Sequence, residues 1–167
     1  MGSWLVRKIE CFQNWVKLDL TPTELAKKSF TGALQQPEPV SVYEVCSDIS
    51  EAFVASALLL NRETSISSPV FLLRIPAAMP VRFNISVSST KGETDVEAVN
   101  TLHRDLIADP SDYVKVCEQL YEAVLAGGMV VRRVEGKALT QRFSDYLNAQ
   151  GVTKSGLARA SRYAQRT

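Results

Sequence analysis

Basic residues are concentrated in the last part of this chain. Residues 123–167 carry eight basic and two acidic side chains, whereas residues 44–122 carry six basic and twelve acidic ones. The eight are Arg132, Arg133, Lys137, Arg142, Lys154, Arg159, Arg162 and Arg166. A cationic segment attracts a polyanion because it releases the counterions condensed on the phosphates. This segregation predicts DNA or another polyanion as a partner; the alternative is a solvated surface that pairs with the acidic middle.

Few residues in the chain can support nucleophilic or metal chemistry. Cys11, Cys46 and Cys117 fit neither a disulfide framework nor paired-cysteine zinc spacing. His103 is the one histidine, so a HExxH zinc site is excluded and a Ser-His-Asp triad would have to use it. We expect a structural or surface role for His103. The chain has no Walker or GxGxxG motif, so any use of ATP would need an atypical site.

Length and composition indicate one α/β domain. A chain of 167 residues with 46% hydrophobic and 22% charged residues is typical of a globular protein. Its apolar runs are shorter than the roughly 18 to 20 residues of a membrane helix. The first residues lack the pattern of a signal peptide. We therefore expect a cytoplasmic protein without a membrane span.

The first half of the chain predicts strands and two helices. Alternation within Val6–Leu20 favours one or two strands. Thr21, Pro22 and Glu24 predict a capping box that opens a helix ending near Gly32. Strands are predicted at Val40–Cys46, Val70–Ile75 and Val81–Ser88, and a helix at Ser50–Arg62 with Asp48 and Glu51 in the spacing of a cap.

The second half predicts mainly helices. Val96, Val99, Leu102 and Leu106 form a helical stripe, and a second helix runs from Asp109–Pro110 to Gly127–Gly128. A short strand at Met129–Val134 and basic helices at Lys137–Asn148 and Thr153–Gln165 complete the prediction. The fold class is therefore α+β: residues 1–92 form a core with a mixed sheet, and residues 93–167 form a helical C-terminal extension packed with it as one domain.

The segment from Glu24 to Val45 resembles the opening helix and strand of ParB/sulfiredoxin-like domains. The matching residues are Glu24-Leu25-Ala26, Gly32, Gln35-Gln36-Pro37 and Val40-Ser41-Val42-Tyr43-Glu44-Val45. Within that superfamily the chain is similar to the plasmid fertility-inhibition branch, the oncogenic-suppression group of proteins that suppress conjugation or T-DNA transfer. The resemblance implies a ParB/sulfiredoxin-like fold with DNase and ATPase activities, and ATP and Mg²⁺ as cofactors. It also implies type IV secretion coupling components as partners, at the inner face of a secretion apparatus.

The phosphate-binding signature of that superfamily is absent. Its G-[ECH]-[RH]-R turn, which holds phosphate at a helix N-terminus, would fall on residues 48–51. Those positions lack the glycine and the arginines. The nucleophilic cysteine of sulfiredoxin would fall on Ile49, which disfavours sulfinic-acid reductase activity.

Phosphoryl chemistry near this turn would need carboxylates to orient metal or water and cations to hold phosphate. The resemblance implies Asp48, Ser50 and Glu51 as catalytic residues, and Lys27, Lys28, Ser29 and Arg74 as nucleotide- or phosphate-binding residues. The alternative is that the two acids only cap a helix and the lysines are solvated.

Three hypotheses for function remain open. The first is an enzyme that cleaves DNA, hydrolyses nucleotide and blocks DNA transfer. The second is a non-catalytic inhibitor of the same fold that binds DNA or a secretion coupling component. The third is a small adaptor unrelated to this superfamily, whose bipolar charge drives self-association. The predicted DNA contacts are Arg132, Arg133, Lys137, Arg142, Lys154, Arg159 and Arg162. Residues 146–160 resemble the start of a helix-turn-helix, but too few residues follow for a recognition helix, so these contacts would be to backbone phosphates.

Overall fold

The computed structural model describes residues 2–31, 34, 38–60, 69–94 and 97–135, and these form an α+β fold. The described strands are β1 (Trp4–Ile9), β2 (Val40–Val45), β3 (Val70–Pro76), β4 (Ser86–Ser89), β5 (His103–Ile107) and β6 (Val131–Val134). The described helices are α1 (Phe12–Lys17), α2 (Pro22–Ser29), α3 (Asp48–Leu60), α4 (Met79–Arg82), α5 (Glu97–Asn100) and α6 (Pro110–Leu125).

The strands form one sheet in the order β4-β5-β2-β1-β3-β6. Every pairing among the described strands is antiparallel, so the predicted mixed sheet is wrong. The crossover through α3 does bring β2 and β3 into the same direction, but β1 lies between them and pairs with both. The two strands that would have formed a parallel pair therefore never bond to each other.

Side chains alternate along the strands between two apolar clusters, one on each face of the sheet. Leu73 and Ile75 of β3 pack with α2 and α6, whereas Leu72 packs with α3. Because neighbouring residues of a strand point to opposite faces, α2 and α3 lie on opposite sides of the sheet. We call the side covered by α3 the α3 face.

Several predicted elements are confirmed. Thr21 and Glu24 form the capping box of α2, with Pro22 in the first turn. The strands predicted around Val40 and Val70 are present as β2 and β3. Helix α6 begins after Asp109 and ends before Gly127, whose φ of 88° is the left-handed value that glycine adopts most readily.

The strand predicted up to Leu20 is wrong beyond Ile9. Residues 12–17 form α1 instead, and Leu18 ends it with a φ of 50°. Trp15 is buried and donates its indole N–H to Ser29 Oγ at 3.0 Å. The helix places this one large side chain in the core, and the apparent alternation of Val16 and Leu18 does not correspond to a sheet face.

The strand predicted at Val81–Ser88 is also largely wrong. Pro80 lies in the first turn of α4, and Asn84 has a φ of 58°, which interrupts an extended chain. Only Ser86–Ser89 forms a strand, and all four of its residues are exposed at the edge of the sheet. Ile85 is buried although it precedes the strand.

The long helix predicted from Thr94 to Leu106 is replaced by the single turn α5 and the strand β5. Val99 packs in the cluster on the α3 face, whereas Leu106 packs in the cluster on the other face. One helical stripe cannot bury side chains on both faces of a sheet. β5 and β6 lie after residue 92 and bond to β2 and β3, so the sheet extends across the predicted division at residue 92.

None of the helices in the described ranges is long and apolar enough to cross a membrane. The basic helices predicted at 137–148 and 153–165 lie outside the described residues.

Candidate functional site

The N-terminus of α3 is capped by two serines. The Ser47 hydroxyl accepts from the Ser50 N–H at 3.1 Å, and the Ser50 hydroxyl accepts from the Ser47 N–H at 3.1 Å. This reciprocal pair has the geometry of a capping box. The predicted cap formed by Asp48 and Glu51 is therefore wrong, and the helix begins two residues earlier than predicted. Both carboxylates are left for contacts outside the helix.

Those two carboxylates meet two arginines from neighbouring strands. Arg74 of β3 donates from Nε to Glu51 Oε1 at 2.9 Å, and its Nη2 contacts Glu51 Oε2 and, at 3.3 Å, Asp48 Oδ1. Arg132 of β6 donates from Nη1 to Glu51 Oε2 at 2.9 Å, and the same nitrogen forms an ion pair with Asp48 Oδ1 at 2.7 Å. We call these four residues the arginine cluster. Its formal charges cancel.

The four members of the arginine cluster differ strongly in exposure. The side chain of Glu51 is 0% exposed, those of Arg74 and Arg132 are each 26% exposed, and that of Asp48 is 66% exposed. The hydrogen bond to Glu51 raises the pKa of Arg74, so this guanidinium is charged at any ordinary pH. Its guanidinium carbon also lies 5.0 Å from the ring centre of Trp4, a cation–π arrangement.

The arginine cluster unites residues that the sequence assigned to separate roles. Asp48 and Glu51 were predicted to be catalytic, Arg74 to bind phosphate and Arg132 to bind DNA. The predicted DNA contact Arg133 lies next in β6 but on the other face, exposed and paired with Glu135 at 2.6 Å. The remaining predicted DNA contacts, Lys137, Arg142, Lys154, Arg159 and Arg162, lie outside the described residues.

The predicted phosphate-binding residues of α2 are not part of the arginine cluster. Lys27 and Lys28 are exposed, but α2 covers the opposite side of the sheet from α3. Ser29 is buried; its hydroxyl accepts from Trp15, and its carbonyl oxygen accepts from Arg7 Nε at 2.8 Å. The side chain of Ser29 thus holds helices α1 and α2 together.

A second polar site, which the sequence did not predict, lies on the α3 face near the other edge of the sheet. It is a pocket of about 500 Å³ lined by residues of β2, β5 and the segment after β4. Thr90 Oγ lies 2.8 Å from His103 Nδ1 and donates to Asp105 Oδ2 at 3.0 Å. The sequence predicted a helix over residues 94–106, and residues two apart in a helix do not share a face. Only a strand places His103 and Asp105 on one face, so the sequence did not indicate this site.

Among the described residues, no group of three or more histidine, cysteine or acidic side chains is placed to hold a metal ion. Asp48 is the cluster's solvent-accessible carboxylate, while both oxygens of Glu51 already accept hydrogen bonds. The residues present at the cluster can therefore hold an anion between two arginines, with one accessible carboxylate beside it.

Comparison of the chain with protein-family models, with curated proteins and with solved structures finds no match.

Proposed function

We propose that this protein is a ParB/sulfiredoxin-like suppressor of conjugative or T-DNA transfer that binds DNA, cleaves it and hydrolyses ATP at the arginine cluster. The supporting observation is that Arg74 and Arg132 converge beside Asp48, whose side chain is 66% exposed. Guanidinium groups suit phosphate oxygens because they donate paired hydrogen bonds. The superfamily resemblance assigns phosphate binding to the start of this same helix.

In this proposal Glu51 is a positioning residue. It is fully buried and bonds to both arginines, which fixes the two guanidinium groups relative to each other. Two phosphate oxygens would replace Asp48 Oδ1 on Arg74 and Arg132, because these contacts are the solvent-accessible ones. The side chain of Glu51 has no surface that water can reach, so Glu51 is a poor general base.

Asp48 is the residue proposed to act on the reacting atoms. Released from the arginines by phosphate, its carboxylate would orient the attacking water and accept its proton. Ser50 supports the helix start, since its hydroxyl donates to the Ser47 carbonyl at 2.9 Å. This reassigns Ser50 from catalysis to capping.

The proposed cofactors are Mg²⁺ and ATP. One accessible carboxylate fits a Mg²⁺ ion that is held mainly by substrate phosphates, the usual situation for this ion. Asp48 would be its ligand from the protein, and the ion would supply neutralisation of phosphate charge.

A second candidate function is inhibition without catalysis, by binding DNA or a secretion coupling component. The observation that favours it is the closed pairing of charges in the arginine cluster, in which two arginines and two carboxylates form ion pairs with one another. Buried ion pairs of this kind also occur as purely structural features.

The two candidates are separated by assaying purified full-length protein with plasmid DNA, single-stranded DNA and ATP, with and without Mg²⁺. Asp48→Asn should lower DNA cleavage and phosphate release about a hundredfold, the usual loss when a general base is removed. Asp19→Asn, which removes an exposed carboxylate just after α1, is the matched control and should retain both activities.

DNA binding is measured separately by titration at several salt concentrations. Replacing Arg142 and Arg159 by alanine should weaken binding equally for all DNA sequences. It should also reduce the slope of log K against log salt concentration by about two. Binding without cleavage or phosphate release in the native protein would favour the non-catalytic candidate. Activity that persists in Asp48→Asn would contradict the site. The absence of salt-dependent DNA binding would contradict the first candidate and the DNA-binding form of the second.

A further inference from the structure

The pocket over β2 and β5 is built around a segment held by hydrogen bonds. Gly92 N–H donates to the Asn100 carbonyl at 3.1 Å, and the Asn100 side chain bonds to both the N–H and the carbonyl of Thr94. A β-carbon on Gly92 would lie 3.1 Å from His103 Cβ, so glycine allows the segment to approach the histidine closely. The wall of the pocket is thereby fixed against β5.

Hydrogen bonding at His103 determines which ring nitrogen carries the proton. The Thr90 hydroxyl has one hydrogen, which it donates to Asp105 Oδ2. Its oxygen therefore accepts from His103 Nδ1, 2.8 Å away, so Nδ1 is protonated in the neutral ring. Nε2 is then an acceptor, and it makes no hydrogen bond with any residue in the described part of the chain. The side chain that presents it is 10% exposed.

The charged groups lining the pocket are mostly acidic. Asp105 Oδ1 lies 3.9 Å from His103 Nε2, and Glu93 forms no hydrogen bond or ion pair with a described residue. Lys91, the cation of the lining, is paired with Glu97 at 3.2 Å. The hydroxyls of Ser41 and Tyr43 can also accept hydrogen bonds.

We propose that this pocket binds a small organic cation bearing N–H donors, a guanidinium or primary ammonium group. His103 Nε2 accepts one N–H, Asp105 Oδ1 accepts a second and supplies the opposite charge, and Glu93 adds to the negative potential. The site does not depend on the proposed function, because β1 and β2 separate β5 from the strands that carry the arginine cluster.

The test uses methylguanidinium, with methylurea as a neutral probe of the same shape and acetate as an anion. His103 is the one histidine of the chain, so its two ring ¹⁵N resonances and its Cε1–H resonance are assigned without ambiguity and report directly on the pocket. Before ligand is added, the ¹⁵N spectrum should show the Nδ1–H tautomer. Methylguanidinium should shift the signals saturably, whereas methylurea and acetate should not.

Two variants locate the contacts. Asp105→Asn retains an acceptor for Thr90 but removes the charge, and should weaken methylguanidinium binding at least about tenfold. Thr90→Val removes the acceptor for Nδ1–H, and should move the proton to Nε2 and also weaken binding. Asp109 is an exposed carboxylate just beyond β5, and its side chain makes no capping bond. The Asp109→Asn variant should therefore bind methylguanidinium as the native protein does.

Four results would overturn the proposal. One is an Nε2–H tautomer in the native protein. Another is the absence of any shift of the His103 signals when the methylguanidinium concentration is about ten times the millimolar Kd expected for so small a cation. A third is a response to methylurea or acetate equal to that to methylguanidinium. A shift with Mg²⁺ and none with methylguanidinium would also contradict it, by showing a metal ion as the occupant.

Discussion

Glu51 of α3 and Arg132 of β6 are 81 residues apart in the chain, yet Arg132 Nη1 donates to Glu51 Oε2 at 2.9 Å. Arg74 of β3 bonds to the same carboxylate. Because β6 pairs with β3, the two arginines lie side by side on the α3 face. One buried carboxylate therefore connects the last described strand to the helix that crosses from β2 to β3.

Removal of this carboxylate should destabilise the fold. Glu51→Ala leaves two partly buried guanidinium groups without their main partner, and breaking a buried ion pair in this way costs about 3–5 kcal/mol. We expect urea unfolding to show that loss at neutral pH.

The matched control is Glu135→Ala. Its pair with Arg133 joins two side chains that are about half exposed, and such surface pairs contribute roughly 0–1 kcal/mol. Equal losses in the two variants would contradict a structural role for the buried pair.

Ser29→Ala should lower stability without affecting phosphate binding. The change leaves the buried indole N–H of Trp15 without its acceptor, and an unsatisfied buried donor costs about 1–3 kcal/mol. Thermal or urea unfolding measures the loss, and nucleotide titration measures binding. Ser88→Ala on the exposed edge strand is the control, with an expected change within about 0.5 kcal/mol. A loss of nucleotide binding at unchanged stability would instead support the phosphate-binding role predicted from the sequence.

The cysteines should differ in their reaction with a thiol reagent. Cys46 is exposed, whereas Cys117 is buried in the core between α6 and the sheet. Burial raises the pKa of the Cys117 thiol well above its usual value, so little of the reactive thiolate forms. In a disulfide-exchange assay on folded protein, Cys46→Ser should abolish the fastest phase. Cys117→Ala should leave that phase unchanged, and a loss of the fast phase in Cys117→Ala would show that the core opens readily.

Stability should fall in alkaline solution because of Tyr113. Its hydroxyl donates to the Leu106 carbonyl at 3.0 Å, and desolvation raises its pKa to about 12. The unfolded chain has a tyrosine pKa of about 10, so the folded state retains the proton over a range where the unfolded state loses it. The stabilisation is complete below pH 10 and is lost as the pH rises from about 10 to about 12, by roughly 2–3 kcal/mol.

Unfolding free energies measured across this pH range test the assignment, with Tyr113→Phe as the reference. The difference between native protein and variant should be constant below about pH 10 and decline above it, since other titrating groups are common to both. A difference that stays constant to about pH 12 would contradict the assignment.

The sequence by itself determined where several helices begin and end, because caps and turns depend on residues within a few positions of one another. The capping box of Thr21 and Glu24 is a short-range interaction and is present. Helix α6 begins at Pro110 and ends before Gly127 as predicted, although the Asp109 side chain makes no capping bond. The apolar run at Val70 indicated a buried strand because both faces of β3 are covered. Charge and residue type also singled out Asp48, Glu51, Arg74 and Arg132.

Tertiary structure alone decided how these residues combine. The pairing of β6 with β3 brings Arg132 to Arg74, and burial distinguishes the carboxylate of Glu51 from the accessible carboxylate of Asp48. The same holds for Thr90, His103 and Asp105, whose contacts require β5 to form a strand rather than a helix. The physical reason is that pairing and burial depend on residues far apart in sequence, whereas caps and turns depend on residues within a few positions.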